Sequence, residues 1–233
     1  MISIVVAMYN EEAVLPAFLN TFFEHIDLKE PYELLLVNDG STDASVSIAK
    51  TFQKKHRQIR IVSYHPNRGL GHALQMGIAK ARGRVIVTMD ADLAHHPKYV
   101  STLVDISDQG HDLVIGSRYA KGGGIDEVPF VRWVLSQATN LITRLAILTG
   151  VKDLTTGFRA YKAGKIKSIK SNAKGFDVEV DILVTYLRKR WSIREVPVRA
   201  PVDRAAGQSK FNLLQDSVDY TRGLFRAIVL RWF

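Results

Sequence analysis

Residues 85–92 read Val-Ile-Val-Thr-Met-Asp-Ala-Asp, a mainly apolar run that ends in two acidic residues two positions apart. An apolar run of this kind predicts a strand that is buried on both faces of a sheet. Such strands are typical of parallel sheets, in which ligands bind beyond the carboxyl ends of the strands. Asp90 and Asp92 therefore mark a candidate site at the end of this strand.

Three more apolar runs precede this one, and they alternate with segments that carry apolar residues at helical spacing. We predict strands at Ile2–Ala7, Glu33–Asn38, Ile59–Ser63 and Arg84–Met89, and helices at Glu12–His25, Ser45–His56 and Leu70–Ala81. The alternation predicts an α/β fold, with a mostly parallel sheet flanked by helices on both faces. Because no repeat or low-complexity linker interrupts the chain, we expect a single catalytic domain over residues 1–233.

Polar clusters follow three of these strands: Tyr9-Asn10-Glu11, Asp39-Gly40-Ser41 and Asp90-Ala91-Asp92. Equivalent strand ends meet at one edge of a sheet, so the clusters are expected to converge on one site. Two carboxylates this close can share one Mg²⁺ or Mn²⁺ ion that bridges a diphosphate. Asp, Gly and Ser also favour turns and helix caps, so each cluster alone has a structural interpretation.

Charge is distributed unevenly along the chain, which carries a net charge of +9. Residues 1–154 hold 16 basic and 16 acidic residues, whereas residues 155–233 hold 16 basic and 7 acidic ones. The basic C-terminal third predicts an anionic partner, which could be nucleic acid, phospholipid or a phosphorylated substrate. The absence of cysteine excludes disulfides and thiolate metal sites.

Two amphipathic stretches, at about 130–150 and 213–233, are candidate membrane-interface helices. Arg144 would lie deep in the bilayer if the first stretch crossed it, at a cost of about 2.5–3.5 kcal/mol. We therefore expect both stretches to lie at a membrane surface or against the core rather than to span the bilayer. The first apolar run, Ile2–Met8, is too short for a signal peptide, so we expect a peripheral protein on the cytoplasmic face of a membrane.

Seven motifs occur in an order that resembles the family-two inverting glycosyltransferases. They are Tyr9-Asn10-Glu11-Glu12, Asn38-Asp39-Gly40-Ser41-Thr42-Asp43, Asn67-Arg68-Gly69, Asp90-Ala91-Asp92-Leu93, Gly116-Ser117-Arg118-Tyr119, Asp153-Leu154-Thr155-Thr156-Gly157-Phe158-Arg159 and Gly207-Gln208-Ser209-Lys210. The pattern looks most like that of the polyprenyl-phosphate sugar synthases, of which the dolichyl-phosphate mannose synthases are typical. The resemblance covers nearly the whole chain.

The resemblance implies a glycosyltransferase A-type fold and transfer of mannose from GDP-mannose to a polyprenyl or dolichyl phosphate. It assigns nucleotide-sugar binding to Ala7, Tyr9, Glu11, Asp39, Asp90, Ala91, Asp92, Arg204 and Lys210, metal binding to Asp90 and Asp92, and lipid-phosphate binding to Arg118, Arg132 and Ser136. Asp92, Arg118, Arg132 and Lys210 would carry catalysis. The implied partners are the two substrates, an anionic membrane surface and a separate membrane-anchoring protein, and nucleic acid is not expected.

One departure from the family pattern bears on the metal, because Ala94 replaces a glutamine that can be a ligand. Water, His95 or His96 would then complete the coordination. Three alternatives stay open: a donor such as UDP-glucose or UDP-N-acetylglucosamine, a hydroxyl acceptor activated by Asp92 or Asp177, and a basic nucleic-acid-binding module without catalysis. Arg118 also has a structural interpretation, as the partner of Asp112 or Asp126.

Overall fold

The computed structural model describes residues 1–125, 140–171, 173, 175, 177–200 and 228–229. The strands are β1 (Ile2–Met8), β2 (Tyr32–Asp39), β3 (Ile59–Tyr64), β4 (Val85–Thr88), β5 (Leu113–Ser117), β6 (Gly124–Ile125), β7 (Arg159–Lys162), β8 (Ile193–Pro197) and β9 (Arg199–Ala200). The helices are α1 (Leu15–His25), α2 (Ser45–Lys55), α3 (Leu70–Lys80), α4 (Tyr99–Asp108), α5 (residues 140–147), α6 (Ala163–Ile166) and α7 (Asp177–Arg188).

Seven strands form one sheet in the order β3-β2-β1-β4-β7-β5-β8, and β6 pairs with β9 in a separate two-stranded sheet. Within the large sheet only β7 runs antiparallel to its neighbours, β4 and β5. The prediction of a mostly parallel α/β sheet with a glycosyltransferase A-type arrangement is confirmed. The antiparallel β7 was not predicted, and it matters for the site because its first residue, Arg159, pairs with Thr88 near the carboxyl end of β4.

Alternate residues of β1 point to opposite faces of the sheet, as the period-two geometry of a strand requires. Ile4 and Val6 pack on the face that α1, α2 and α4 cover, whereas Val5 packs with α3 and α7 on the other face. Both faces are therefore buried, which explains why the strands read as continuous apolar runs.

Helix α1 begins later than predicted, at Leu15 rather than Glu12. The backbone N–H of Glu12 donates to the Asp43 carboxylate, so this residue belongs to the site loop and not to the helix. Pro16 occupies the first turn of α1, where its missing N–H and fixed φ are tolerated.

A buried carboxylate, that of Glu33, lies at the amino edge of the sheet, opposite the predicted site. Glu33 accepts hydrogen bonds from the Ser3 hydroxyl at 2.6 Å and from the Arg82 backbone N–H at 2.7 Å, and it pairs with Arg60. Burial raises the pKa of Glu33, but these three donors outweigh burial and hold the pKa below its ordinary value.

Four large apolar side chains of the α5 region face solvent. Leu141, Ile142, Leu145 and Leu148 are 52–66% exposed, whereas Thr143 and Ile147 on the same helix are buried. In this part of the predicted 130–150 stretch, one side of the helix packs against the protein and the other presents apolar side chains to solvent. The rest of that stretch up to residue 139 and nearly all of 213–233 lie outside the described residues. No helix in the described parts of the chain is both long and apolar enough to cross a membrane.

Candidate active site

The clusters after β1 and β2 hold each other in place. The Asn10 side chain accepts a hydrogen bond from the Thr42 backbone N–H at 2.8 Å, and the Glu11 backbone N–H donates to the Ser45 hydroxyl at 2.8 Å. Asn10 has a φ of 52°, which turns the chain sharply at this point. Tyr9, just before this turn, remains 41% exposed. The structure thus brings together the first two of the predicted clusters.

Asp39 is buried and accepts two hydrogen bonds from the loop that precedes α3. Its carboxylate oxygens receive the backbone N–H groups of Arg68 at 2.7 Å and Gly69 at 2.9 Å. Gly40 is required beside it, since its φ is +73° and a Cβ would lie 2.8 Å from the Asn67 nitrogen. Burial and the Asp39 carboxylate raise the pKa of the neighbouring Tyr64. The buried Asp39 carboxylate therefore stabilises the conformation of the loop that precedes α3.

The acidic pair lies where the sequence predicted, immediately after β4. The Asp90 side chain is 41% exposed, and one oxygen of Asp92 accepts the Ala94 backbone N–H at 2.9 Å. Gly157 faces Asp90, and a Cβ on this glycine would lie 3.2 Å from the Asp90 carboxylate. Of the two small residues assigned to nucleotide binding, Ala7 is the penultimate residue of β1, and Ala91 lies three residues beyond the end of β4.

The two histidines after this pair occupy different environments. His95 is buried, with Nδ1 3.9 Å from the Asp90 carboxylate and Nε2 3.1 Å from the Thr156 hydroxyl, and its ring stacks on Phe158. His96 instead contacts His25 edge to face, and its pKa is lowered by burial and by His25. Of the two candidates that could assist the acidic pair, His95 is therefore the one beside Asp90.

Arg118 follows β5 and is paired with a fully buried carboxylate, Asp153. Its Nε and Nη2 atoms each donate to Asp153 at 2.8 Å, its backbone N–H donates at 3.0 Å, and Nη2 lies 3.3 Å from the Thr155 hydroxyl. Burial raises the pKa of Asp153, but the Arg118 guanidinium outweighs it and holds the pKa below its ordinary value. The acid that pairs with Arg118 is thus Asp153, and not Asp112, which bonds to Ser192; Asp126 lies outside the described residues.

Four predicted site residues, Arg132, Ser136, Arg204 and Lys210, lie outside the described residues. The others collect at the carboxyl edge of the sheet: Ala7, Tyr9, Glu11 and Asp39 on one side, Asp90 to Asp92 in the middle, and Arg118 beyond β7. Asp177, a candidate base in the alternative reaction, accepts the Gly175 backbone N–H at the start of α7.

The acidic pair fits a divalent ion that shares its coordination with a substrate. The described residues contain no group of three Asp, Glu, His or Cys side chains that could hold a metal. Mg²⁺ is commonly held by one or two carboxylates together with substrate phosphates and water, so two aspartates are sufficient when a diphosphate is present. Oxygen donors also suit Mn²⁺.

Sequence reasoning did not assign a role to the segment before β7, although its motif was recognised. The buried Arg159 donates to the carbonyl oxygen of Leu154 at 2.7 Å and pairs with the buried Glu179. This buried ion pair anchors the segment that carries Asp153, Thr156 and Gly157. The spacing of twenty positions between Arg159 and Glu179 does not predict the contact, and neither residue lies in a stretch that the sequence marks as buried.

Comparisons with known proteins agree with this geometry. The family model described as Glycosyl transferase family 2 matches residues 3–170. The chain is 30% identical to a dolichol-phosphate mannosyltransferase of Pyrococcus furiosus over 99% of its own length and 64% of the relative's. It is 31% identical to a polyprenol monophosphomannose synthase of Mycolicibacterium smegmatis over 90% of its length and 80% of the relative's.

Among solved structures, glucosyl-3-phosphoglycerate synthase of Mycobacterium tuberculosis matches with a TM-score of 0.74 at 22% identity, covering 99% of this chain and 79% of that one. That structure contains Mn²⁺, UDP and glucosyl-3-phosphoglycerate, and its likeness to this chain shows the shared fold. The family model covers most of the chain, including β1 to β5 and the acidic pair. The expectation of a family-two glycosyltransferase is confirmed, and the chain belongs to glycosyl transferase family 2.

Proposed function

We propose that the protein transfers mannose from GDP-mannose, with inversion, to a polyprenyl phosphate at the cytoplasmic face of a membrane. The observation that carries this proposal is the match, over most of the chain, to two relatives named for mannosyl transfer to dolichol or polyprenol phosphate. The site is compatible with that chemistry, because an acidic pair for a metal diphosphate and an arginine for a second phosphate lie on either side of β7.

The acceptor sets what the protein must supply. A phosphate monoester has a second pKa of about 6 and is therefore a dianion near neutral pH. It can attack the anomeric carbon without a general base, and a single in-line displacement inverts that centre. Most of the rate must then come from positioning two anions and from stabilising the leaving diphosphate.

On the donor side, Asp90 and Asp92 would hold Mg²⁺ or Mn²⁺, which neutralises developing charge on the leaving group when it is bound. Ala7, Tyr9, Glu11, Asp39 and Ala91 are proposed to line the nucleotide. Asp39 already accepts hydrogen bonds from two backbone N–H groups. We therefore propose that it stabilises the Arg68–Gly69 loop as well as contacting the donor. Arg204 and Lys210 are proposed to close over the diphosphate.

On the acceptor side, Arg118, Arg132 and Ser136 are proposed to hold the lipid phosphate. Arginine suits this role because its planar fork makes directional hydrogen bonds to phosphate oxygens. The exposed apolar side chains of α5 follow Ser136 closely in the sequence. They would rest on the membrane that contains the polyprenyl chain. A separate protein could provide a further membrane anchor.

A second donor is suggested by one observation: structures of glucosyl-3-phosphoglycerate synthase, which shares this fold, contain UDP or UDP-glucose. A UDP-sugar, glucose or N-acetylglucosamine, is therefore the competing donor. A hydroxyl acceptor would require a general base to activate it. Binding of nucleic acid would place three acidic clusters close to phosphates, which they repel.

The test is a donor panel. The protein is incubated with a polyprenyl phosphate, Mg²⁺ or Mn²⁺, and radiolabelled GDP-mannose, UDP-glucose or UDP-N-acetylglucosamine in parallel, and the lipid is extracted. We expect label in the lipid fraction from GDP-mannose. Label from a UDP-sugar alone would replace mannose by that sugar, and label from none of the three would contradict the proposed function.

A further inference from the structure

Asp153 is built to hold one arginine in one orientation. Two parallel hydrogen bonds from Nε and Nη2 of Arg118, each 2.8 Å long, fix the plane of the guanidinium, and the backbone bond at 3.0 Å fixes the start of the side chain. Such bidentate pairs combine strength with directional specificity. Asp153 is fully buried, whereas the Arg118 side chain is 17% exposed. Asp153 is therefore the buried member of the pair, and Arg118 is the partly exposed one.

The backbone at Asp153 and at the next residue is held by two sets of hydrogen bonds. The Asp153 backbone N–H donates to Glu195 at 3.0 Å, and the carbonyl oxygen of the next residue, Leu154, accepts from the buried Arg159. Arg159 in turn donates to the backbone oxygen of Glu179 at 2.7 Å, which ties the segment to α7. Because the backbone here is held in place, the Asp153 carboxylate can hold the Arg118 guanidinium in one orientation.

The same short segment also contacts the metal side of the site. The Thr88 hydroxyl donates to the Gly157 carbonyl at 2.6 Å, and a Cβ added to Gly157 would lie 3.2 Å from the Asp90 carboxylate. Thr156 contacts His95, whose ring lies beside Asp90. Residues 153–158 thus contact Arg118 on one side of β7 and Thr88 and His95 on the other.

We propose that Asp153 is a positioning residue that aims the Arg118 guanidinium at the acceptor phosphate relative to the Asp90–Asp92 pair. The inference rests on the proposed function, since it takes the acceptor to be a phosphate. Arg118 and Asp153 together carry no net charge. The pair therefore acts mainly by directing hydrogen bonds to the attacking phosphate. It attracts an anion to the site only weakly.

This reasoning gives a kinetic signature that a structural role would lack. The change Asp153→Asn keeps the shape of the side chain, removes the negative charge beside Arg118 and replaces one acceptor oxygen by a donor group. Arg118 then keeps its charge and loses its alignment. We expect kcat to fall at least roughly tenfold. The KM for polyprenyl phosphate should stay unchanged or decrease, because a negative charge near the anion has been removed, and the KM for the nucleotide-sugar should not change.

The matched control is Glu33→Gln, which also converts a buried, arginine-paired carboxylate to an amide, at the opposite edge of the sheet. We expect its kcat and both KM values to equal those of the wild type. Steady-state kinetics with polyprenyl phosphate and each variant, with thermal unfolding to verify folding, provide the comparison. Wild-type kcat in Asp153→Asn would overturn the inference. So would a rise in the KM for the acceptor, which would assign Asp153 to ground-state binding.

Thr155→Val provides the test if Asp153→Asn does not fold. It removes the hydroxyl 3.3 Å from Arg118 Nη2 with little change in shape, and a kcat reduced roughly two- to fivefold at constant acceptor KM is expected. A kcat equal to that of the wild type would contradict the inference. A wild-type protein that transfers no sugar to polyprenyl phosphate would contradict the proposed function and this inference together, whereas an active wild type with unchanged variants would contradict the inference alone.

Discussion

The carboxylates at the carboxyl edge of the sheet differ in what they contact. Asp39 and Asp153 are buried and accept hydrogen bonds from neighbouring loops, whereas the Asp90 side chain is 41% exposed. The first kind stabilises the loops around the site, and the second kind is the one that we propose to contact metal and substrate. Residue identity alone does not separate them, because Asp39 and Asp90 both follow buried strands.

The metal role of the acidic pair predicts the effect of Asp92→Ala. This change should reduce transfer below detection while the protein stays folded, because the partly buried side chain loses a backbone hydrogen bond from Ala94, which costs about 0.5–1.5 kcal/mol. Transfer should also stop in chelator and return with Mg²⁺ or Mn²⁺. Asp105→Ala, an exposed aspartate on α4, is the control and should retain wild-type transfer. Full transfer in chelator would exclude the metal role.

The acceptor role that we propose for Arg118 predicts a selective defect in Arg118→Ala. The change removes a charged donor and exposes the Asp153 carboxylate to the lipid phosphate, so binding of this substrate should weaken. A charge-assisted hydrogen bond contributes about 1.5–3 kcal/mol, which corresponds to a loss of roughly tenfold to a hundredfold in kcat/KM for the lipid phosphate. The KM for the nucleotide-sugar should change little. Equal losses for both substrates would indicate general damage to the site.

At the scale of elements, periodicity predicted β1 to β4 and the helices between them to within a few residues. β1, β2 and β4 are buried along nearly their whole length and therefore read as apolar runs, whereas β3, at the edge of the sheet, is only partly buried. β7 reads Arg-Ala-Tyr-Lys and carries no such signal, although it lies in the middle of the sheet. Its buried Arg159 is stabilised by Glu179, a contact between distant residues that local patterns cannot show. The acidic pair was predictable, and the segment that supports it was not.

The exposed side of α5 predicts membrane binding. Leu145 is 66% exposed, and Leu145→Glu would place a charge where the apolar side chain should enter the lipid interface. We expect less protein to sediment with anionic liposomes than for the wild type. Thr51→Glu, which adds the same charge on the exposed part of α2, should sediment as the wild type does. Equal binding by both variants would show that α5 does not contact the lipid.

The buried Glu33 predicts how stability depends on pH. Its pKa in the folded protein lies below the ordinary value of 4.5, so its ionised form stabilises the fold at higher pH and this contribution is lost as pH falls through the folded pKa. Urea unfolding from about pH 7 down to about pH 3 should show a decreasing free energy of unfolding, with a shallower decrease in Glu33→Gln. An identical pH dependence in the two proteins would contradict this assignment.

At the scale of the whole molecule, the parallel strands collect the functional groups at one edge, and the antiparallel β7 brings a supporting segment to the same edge. The arrangement places the acidic pair and Arg118 on either side of that segment. The exposed apolar side of α5 belongs to the same chain region that precedes residue 153. The proposed function requires this combination, a site for two anions together with a surface that can rest on lipid, because its donor is soluble and its acceptor is bound to a membrane.

The central claim is that the acceptor is a lipid phosphate. It is tested most directly by offering the protein radiolabelled GDP-mannose with polyprenyl phosphate, with polyprenol that lacks the phosphate, or with 3-phosphoglycerate, and by measuring label in the product of each. We predict transfer to polyprenyl phosphate and none to the other two, with Asp92→Ala inactive throughout. Transfer to polyprenol or to 3-phosphoglycerate, with none to polyprenyl phosphate, would contradict the claim.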